Sequence, residues 1–227
     1  VYWEKIFLSF VKLNKEDKEK YINRYNERLE EFGYDPRSLG WGTGGLERQY
    51  IRFSNLLDIK KFSTSEVSSV LDIGCGFGDC CEYLEQTNPQ AIYTGVDINN
   101  SLIEIAKKKF PNNNFFCGDI LDQKFYDLIS NNSKKKFDIV ISSGVFNYKL
   151  TNENQYDYIC RMLEIMFSLS KIGIAADFLT DKVDFMHEGA FHTNIECLYT
   201  KTRDKITKKS IFRNDYLDYE FILYLLK

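Results

Sequence analysis

The stretch Val70-Leu71-Asp72-Ile73-Gly74-Cys75-Gly76-Phe77-Gly78-Asp79 joins an apolar run to three glycines at alternate positions. Residues 67–73 predict a buried strand and residues 79–87 predict a helix, so the glycines occupy the turn between them. Glycine adopts positive φ at little cost and lets the backbone approach a ligand closely. Many kinds of nucleotide enzyme use such a turn, so the turn alone does not identify the ligand.

Outward from this turn, predicted strands and helices alternate along the chain. Such alternation predicts a mainly parallel sheet with helices on both faces. The last two predicted strands, 206–212 and 220–226, are joined too closely for a crossover helix and should therefore pair antiparallel. The predicted fold class is α/β, a Rossmann-like sheet of seven strands with an antiparallel C-terminal hairpin. The other predicted strands are 67–73, 91–96, 114–117, 137–142 and 171–178, and the predicted helices of this part are 79–87, 101–110 and 154–170.

The N-terminal part of the chain has a different pattern. Residues 1–60 predict a helical extension or lid, and residues 61–227 predict the main domain. Apolar and aromatic side chains recur near a spacing of 3.6 across residues 15–32, which is typical of an amphipathic helix. A second helix is predicted over residues 46–59. Tyr21 and Tyr25 on the first helix are interpreted as a packing stripe, with a lid over the site as the alternative.

Composition narrows the classes of function. The chain has 227 residues and a net charge of -3, so it lacks the basic footprint of a nucleic-acid-binding protein. No apolar stretch reaches the roughly 20 residues of a membrane span, and no signal peptide is visible. Six cysteines without a C-x-x-C pair and only two histidines predict free thiols and no metal site. We therefore expect a cytoplasmic protein that acts without nucleic acid or membrane, as a monomer or homodimer.

Three acidic residues near the predicted strand ends narrow the choice of ligand. Asp72 precedes the glycines, where it suits the cationic methionine part of a ligand and would repel a pyrophosphate. Asp97 ends the next strand, about 20 residues after the glycine turn, which is the spacing of a ribose-binding carboxylate. Asp119 follows the third strand, where it could accept a hydrogen bond from an adenine amino group.

These motifs, in this order, resemble those of class I S-adenosylmethionine (SAM)-dependent methyltransferases. The resemblance spans residues 67–227, and it includes the fourth strand and the C-terminal hairpin. It implies that SAM is the cofactor and that the glycine turn wraps its methionine moiety. The cofactor-binding residues that it implies are Asp72, Gly74, Cys75, Gly76 and Gly78 at the turn, Asp97 and Ile98 at the ribose and adenine, Asp119 and Ile120 at the adenine, and Ser142, Ser143 and Gly144 beneath the sulfonium.

Some small-molecule members of this family carry an upstream set that residues 40–42, Gln49 and Arg52 resemble. Arg52 is then a candidate for a bidentate contact with the SAM carboxylate, and Trp41 is a candidate substrate residue. The whole-chain pattern also resembles methyltransferases encoded among bacterial surface-polysaccharide genes. That resemblance implies an acceptor oxygen on a sugar, a sugar nucleotide or a capsule-related phosphate ester.

The candidate catalytic residues are His187 and His192, which lie in one segment after the predicted fifth strand. An oxygen acceptor needs a general base, and histidine is the side chain best suited to that role; a surface or packing role is the alternative for both. Asn147 and Tyr148 are candidate acceptor-site residues, with a structural role as the alternative. The segment from Ser143 lacks the Asn-Pro-Pro-Tyr type of motif, which disfavours methylation of nucleobase or amide nitrogens.

Two other functions remain open at this point. One is a non-catalytic SAM-binding or partner module, in which the acceptor site is closed. The other is a nicotinamide-dependent oxidoreductase, which Asp72, Asp119 and the terminal hairpin disfavour. The leading prediction is a methyltransferase that acts on a small-molecule acceptor.

Overall fold

The computed structural model describes residues 8, 10–41, 45–132 and 136–227. Residues 1–7 of the predicted extension lie outside this description. So do residues 42–44, which include the last residue of the upstream set at 40–42. Within it, seven strands form one sheet in the order β3-β2-β1-β4-β5-β7-β6, and β7 is antiparallel to both of its neighbours. The strands are β1 (Ser69–Ile73), β2 (Ile92–Asp97), β3 (Asn114–Cys117), β4 (Phe137–Ser142), β5 (Ser170–Leu179), β6 (Ser210–Arg213) and β7 (Glu220–Leu226).

Helices cover both faces of this sheet, because the central strands are apolar on both sides. In β4, Val140 belongs to one hydrophobic cluster, whereas Ile139 and Ile141 belong to the other. This alternation confirms the predicted fold class. The helices are α1 (Lys15–Phe32), α2 (Gly45–Leu57), α3 (Asp79–Thr87), α4 (Asn100–Lys109), α5 (Gln123–Asn132), α6 (Gln155–Leu169) and α7 (Ile195–Lys205), and short 3₁₀ turns occupy Pro36–Leu39, Asp58–Phe62 and Val145–Asn147.

Helices α5 and α7 are not among the predicted helices. Both are short and polar, and each buries few side chains: α7 buries only Leu198 and Thr202. Their N-terminal caps are readable in the sequence, since Asp122 accepts backbone N–H groups of α5 and Asn194 accepts that of Cys197 in α7. These capping residues are the signal that could have located the two helices.

The two N-terminal helices take different places in the molecule. Helix α2 packs on the sheet, and its Phe53, Leu56 and Leu57 join the cluster that contains Val70 and Ile139. Helix α1 instead lies across the carboxyl edge of the sheet, and its contacts are mainly polar. The division of the chain at residue 60 stays a prediction.

A buried carboxylate anchors α1. Asp17 is fully buried and accepts four hydrogen bonds, from the backbone N–H and side chain of Thr151 and of Asn152. Further along the helix, the Asn99 side-chain amide donates to the carbonyl oxygen of Ile22 at 3.3 Å. These contacts hold α1 over the ends of β2 and β4.

We expect Asp17→Ala to lower the free energy of unfolding by about 2–3 kcal/mol, because it removes a buried carboxylate that accepts four charge-assisted hydrogen bonds. Burial alone would raise the pKa of the Asp17 carboxyl, but the hydrogen bonds from Thr151 and Asn152 hold it below its usual value. Its stabilising contribution is therefore present above the unfolded-state pKa and lost as the pH falls through the folded-state pKa. Urea unfolding measures the effect, with the exposed Glu16→Ala as control. Equal stability of the two variants would contradict the anchor.

Candidate cofactor pocket and active site

The glycine turn between β1 and α3 has the conformation that its sequence predicts. Gly74, Gly76 and Gly78 have φ values of 82°, 54° and 76°, which L side chains rarely adopt. A Cβ atom on Gly74 would lie 2.1 Å from Val145 Cγ2. The backbone N–H groups of Gly74 and Cys75 both donate to the carbonyl oxygen of Val96, at 2.7 and 3.1 Å. The turn is therefore held against the end of β2.

Asp97 braces this turn from the end of β2. Its Oδ2 accepts the backbone N–H of Gly76 at 3.0 Å, and its Oδ1 accepts that of Asn99 at 2.8 Å. Burial raises the pKa of this carboxyl, and the backbone hydrogen bonds oppose that shift. Each carboxylate oxygen can accept more than one hydrogen bond, so Asp97 can bind ligand hydroxyls while it holds the turn.

Asp72 is buried beside the same turn and has no cationic partner among the described residues. The Tyr93 hydroxyl donates to its Oδ2 at 2.6 Å. Burial raises the pKa of the Asp72 carboxyl to about 7, against the effect of this hydrogen bond, and the nearby carboxyls of Asp97 and Asp177 raise it further. A positively charged ligand group beside Asp72 would stabilise its ionised form.

The floor beyond β4 is held by an acid that sequence reasoning missed. Asp177 on β5 accepts the Ser143 hydroxyl at 2.5 Å and the Gly144 backbone N–H at 2.6 Å. Burial raises the pKa of the Asp177 carboxyl to about 6, with a further rise from Glu220 and an opposing effect of Arg52. In the sequence this acid interrupts an apolar strand, which is the signal that could have identified it.

Arg52 is buried and forms a two-armed ion pair with Glu220, which sequence reasoning also missed. Its Nε donates to Glu220 Oε2 at 2.6 Å, and its Nη2 donates to Oε1. The guanidinium lies 4.2 Å from the centre of the Trp41 ring. Its Nη1 and the Oε1 of Gln49 are buried without a hydrogen-bond partner among the described residues. Arg52 thus keeps a free N–H donor, and Gln49 keeps a free carbonyl acceptor. Together these groups suit a ligand that carries one negative and one positive group.

The two histidines differ in their surroundings. His187 is exposed, with its ring against Phe185. His192 is partly buried, and its Nδ1 lies 2.9 Å from the carbonyl oxygen of Thr180. A carbonyl only accepts hydrogen bonds, so Nδ1 carries the proton and Nε2 keeps a lone pair in the neutral ring. This Nε2 is buried and has no partner in the part of the chain that the structure describes.

The candidate acceptor residues Asn147 and Tyr148 lie beyond the end of β4. Asn147 Oδ1 accepts the backbone N–H of Leu179 at 2.9 Å, which joins this segment to the end of β5. The Tyr148 ring contacts Tyr21 of α1 edge-on, with 5.3 Å between ring centres. Tyr21 thus packs against Tyr148 and lines the cavity, and its role as a lid stays a prediction.

One cavity of about 670 Å³ unites most of these groups, a volume within the roughly 300–1,000 Å³ of small-molecule sites. The predicted site residues that line it are Trp41, Arg52, Asp72, Gly74, Cys75, Gly76, Asp97, Ser143, Gly144, Asn147, Tyr148, His187 and His192. The described residues contain no cluster of side chains able to hold a metal ion. No helix among them is long and apolar enough to cross a membrane.

Five predicted cofactor residues do not line this cavity. Two of them have structural contacts: Gly78 lies against the Phe115 ring, and the Ser142 hydroxyl donates to the carbonyl oxygen of Ile73 at 2.8 Å. Asp119 accepts the backbone N–H of Leu121 at 3.0 Å and lies 3.5 Å from the Lys18 amine. The remaining two are Ile98 and Ile120. The roles of Ile98, Asp119 and Ile120 at the adenine stay predictions.

The comparisons with known proteins agree with this arrangement. Residues 71–168 match the family model described as a methyltransferase domain. The chain is 30% identical over 128 residues to protein 235L of Invertebrate iridescent virus 6, whose name describes it provisionally as a methyltransferase. The match covers 56% of this chain and 43% of that protein, so the chain spans less than half of this relative.

Two solved structures share the fold over most of their length. The plantazolicin methyltransferase BpumL in complex with S-adenosylhomocysteine (SAH) has a TM-score of 0.62 at 16% identity, over 94% of this chain and 98% of that one. CalS10, an amino pentose methyltransferase from Micromonospora echinaspora, has a TM-score of 0.57 at 13% identity, over 77% and 90%. The fold is therefore a methyltransferase fold. The matched family model includes the glycine turn, so residues 71–168 match a methyltransferase domain, and SAM stays the predicted cofactor.

The cavity fits this cofactor by the chemistry of its unpartnered groups. SAM carries a sulfonium, an α-ammonium and an α-carboxylate. The buried Asp72 carboxyl suits a positive group, and the free Nη1 of Arg52 suits a carboxylate. When bound, SAM would supply an electrophilic methyl group, and the protein would supply its alignment.

We expect SAM to bind more tightly as the pH rises towards about 7, because binding favours ionised Asp72. The stability of the free protein depends on pH in the opposite direction. Because the pKa of Asp72 is raised on folding, its contribution to the free energy of unfolding is fully present below the unfolded-state pKa and is lost as the pH rises through about 7. Calorimetric titration between pH ~5.5 and ~8 measures the affinity, with a slope of at most about tenfold per unit. Asp72→Asn should flatten the profile, and a flat wild-type profile would refute the linkage.

Proposed function

We propose that this chain transfers the methyl group of SAM to an oxygen atom of a small-molecule acceptor, with His192 as the general base. The acceptor class that we propose is a sugar, a sugar nucleotide or a capsule-related phosphate ester. The observation that carries the proposal is that His192 lines the same cavity as Asp72 and Asp97, and that its Nε2 has no hydrogen-bond partner among the described residues.

The proposed chemistry needs one proton transfer. When bound, SAM would supply an electrophilic methyl group, and its sulfur would keep the electron pair of the carbon–sulfur bond when the acceptor oxygen takes the methyl carbon. Nε2 of His192 accepts the hydroxyl proton, while Nδ1 keeps its own proton and its hydrogen bond to Thr180. The carbonyl of Thr180 thereby fixes the tautomer and stabilises the charged imidazole that forms.

Several groups orient the two ligands in this proposal. Asp97 binds the ribose hydroxyls, and Arg52 and Gln49 bind the charged ends of the methionine moiety. Asp177 holds the turn at Ser143 and Gly144 beneath the sulfonium, although it lies outside the cavity wall itself. Trp41 and Tyr148 border the acceptor.

The proposed base bears on which kind of acceptor atom is methylated. The two solved methyltransferases described above act, by their names, on plantazolicin and on an amino pentose. Their likeness to this chain is a likeness of fold, so the acceptor is argued from this chain alone. A histidine base favours a hydroxyl acceptor, since an uncharged amine nucleophile needs less help to lose its proton.

Calorimetric titration with SAH, and with NAD as control, tests the cofactor. Transfer of labelled methyl from SAM to a panel of sugars, sugar nucleotides and phosphate esters then tests the acceptor. Micromolar SAH binding with turnover of a panel member is the expected result. SAH binding without turnover on any acceptor would favour the non-catalytic module, and NAD binding without SAH binding would favour the oxidoreductase.

A further inference from the structure

Apart from two histidines, every basic side chain that lines the cavity in the described ranges is an arginine. Of the chain's eight arginines, four line the cavity, whereas none of the lysines in the described ranges does. A guanidinium presents a planar fork of donors that matches the geometry of phosphate and carboxylate. The four are Arg24, Arg28, Arg48 and Arg52.

These four arginines are not equally available to a ligand. Arg52 is neutralised by Glu220. The other three form no ion pair with any carboxylate that the structure describes. Arg28 donates from Nε and Nη2 to the carbonyl oxygen of Arg37, at 2.9 and 2.6 Å, so its guanidinium is fixed while Nη1 is left over.

Arg24 and Arg28 lie one helical turn apart on the face of α1 that covers the cavity. Tyr21 and Tyr25 belong to the same face and also line the cavity. The Arg24 guanidinium lies 5.7 Å from the centre of the Tyr148 ring, just beyond the end of β4. Tyr148 is a candidate acceptor residue, so Arg24 lies beside the part of the cavity that we assign to the acceptor.

Carboxylates on the cavity rim do not neutralise this pair. Asp184 accepts the Tyr219 hydroxyl at 3.1 Å. Glu188 also lines the cavity, but neither acid forms an ion pair with an arginine within the described ranges. An anionic group on the ligand would supply the missing charge.

We propose that Arg24 and Arg28 bind an anionic group, a phosphate or a carboxylate, on the methyl acceptor. This inference rests on the proposed function and narrows its acceptor class, since an uncharged sugar would leave both guanidinium groups unpaired. Arg28 supplies a fixed donor, and the exposed side chain of Arg24 supplies a second guanidinium that contacts the anion.

Anion titration of the full chain tests this site. The probes are inorganic pyrophosphate for the phosphate arm and malonate for the carboxylate arm, each with and without saturating SAH, against sodium chloride at matched ionic strength. The variants are Arg24→Gln, Arg24→Lys, and Arg203→Gln as control, because Arg203 is exposed, pairs with Asp204 and lies outside the cavity. Thermal unfolding confirms that each variant is folded.

The expected result is specific binding of one probe, weakened about tenfold by Arg24→Gln, less by Arg24→Lys and not by Arg203→Gln. If pyrophosphate binds more tightly than malonate, the anionic group of the acceptor is assigned as a phosphate. If malonate binds more tightly, it is assigned as a carboxylate. Probes that bind no better than chloride, or that bind Arg24→Gln as tightly as the wild type, overturn the inference. Anion binding without SAH binding would count against the cofactor assignment and leave the anion site supported.

Discussion

Asp97→Ala is expected to weaken SAH binding by at least about 100-fold. Two charge-assisted hydrogen bonds to ribose hydroxyls are worth roughly 1.5–3 kcal/mol each, and about 1.4 kcal/mol corresponds to a factor of ten. The substitution also removes the acceptor of the Gly76 N–H, so the glycine turn loses the brace that shapes it. Both effects act on the same ligand and in the same direction.

Isothermal titration calorimetry with SAH measures this loss. Asp97→Asn is the matched variant, because an amide oxygen can keep one backbone hydrogen bond but has no charge, and an intermediate Kd is expected. The exposed Asp127→Ala on α5 controls for the loss of a carboxylate elsewhere. Wild-type affinity in Asp97→Ala would mean that the cofactor lies elsewhere in the cavity.

The second large effect is expected at His192. Removal of a general base costs roughly 10²–10⁴-fold in turnover. His192→Asn is the informative variant, because its amide N–H can still donate to the carbonyl oxygen of Thr180 while the group at Nε2 is lost. SAH affinity should stay within about twofold of the wild type, since this side chain is assigned to the acceptor side.

His187→Ala is the matched control for His192. It removes the same ring from the same segment, at an exposed position where the structure gives no fixed partner beyond Phe185. Methyl transfer to the first productive acceptor of the panel provides the readout. Equal turnover of His192→Asn and the wild type would refute the general base, and a loss confined to His187→Ala would move the role to that residue.

The sequence by itself determined the parts of this protein that depend on local chemistry. The bounds of α1, α3, β3, β4 and β7 agree with prediction, since each is set by periodicity or a glycine within a few residues. The same holds for the turn at Gly74 to Gly78 and for the acid at Asp97, whose spacing places it at the end of the neighbouring parallel strand. The sheet class followed from the alternation of strands and helices.

Only the tertiary structure decided which distant side chains meet. The Arg52–Glu220 pair spans 168 positions, and the contacts of Asp17 with Thr151 span 134. No local pattern encodes such pairs, because they depend on where α1 and α2 pack against the sheet. The same packing buries Nε2 of His192 and leaves His187 exposed. It also gives Asp177 its place under Gly144 and brings Arg24 and Arg28 to the cavity wall. The local sequence thus specified the glycine turn, whereas long-range packing specified which distant side chains line the cavity with it.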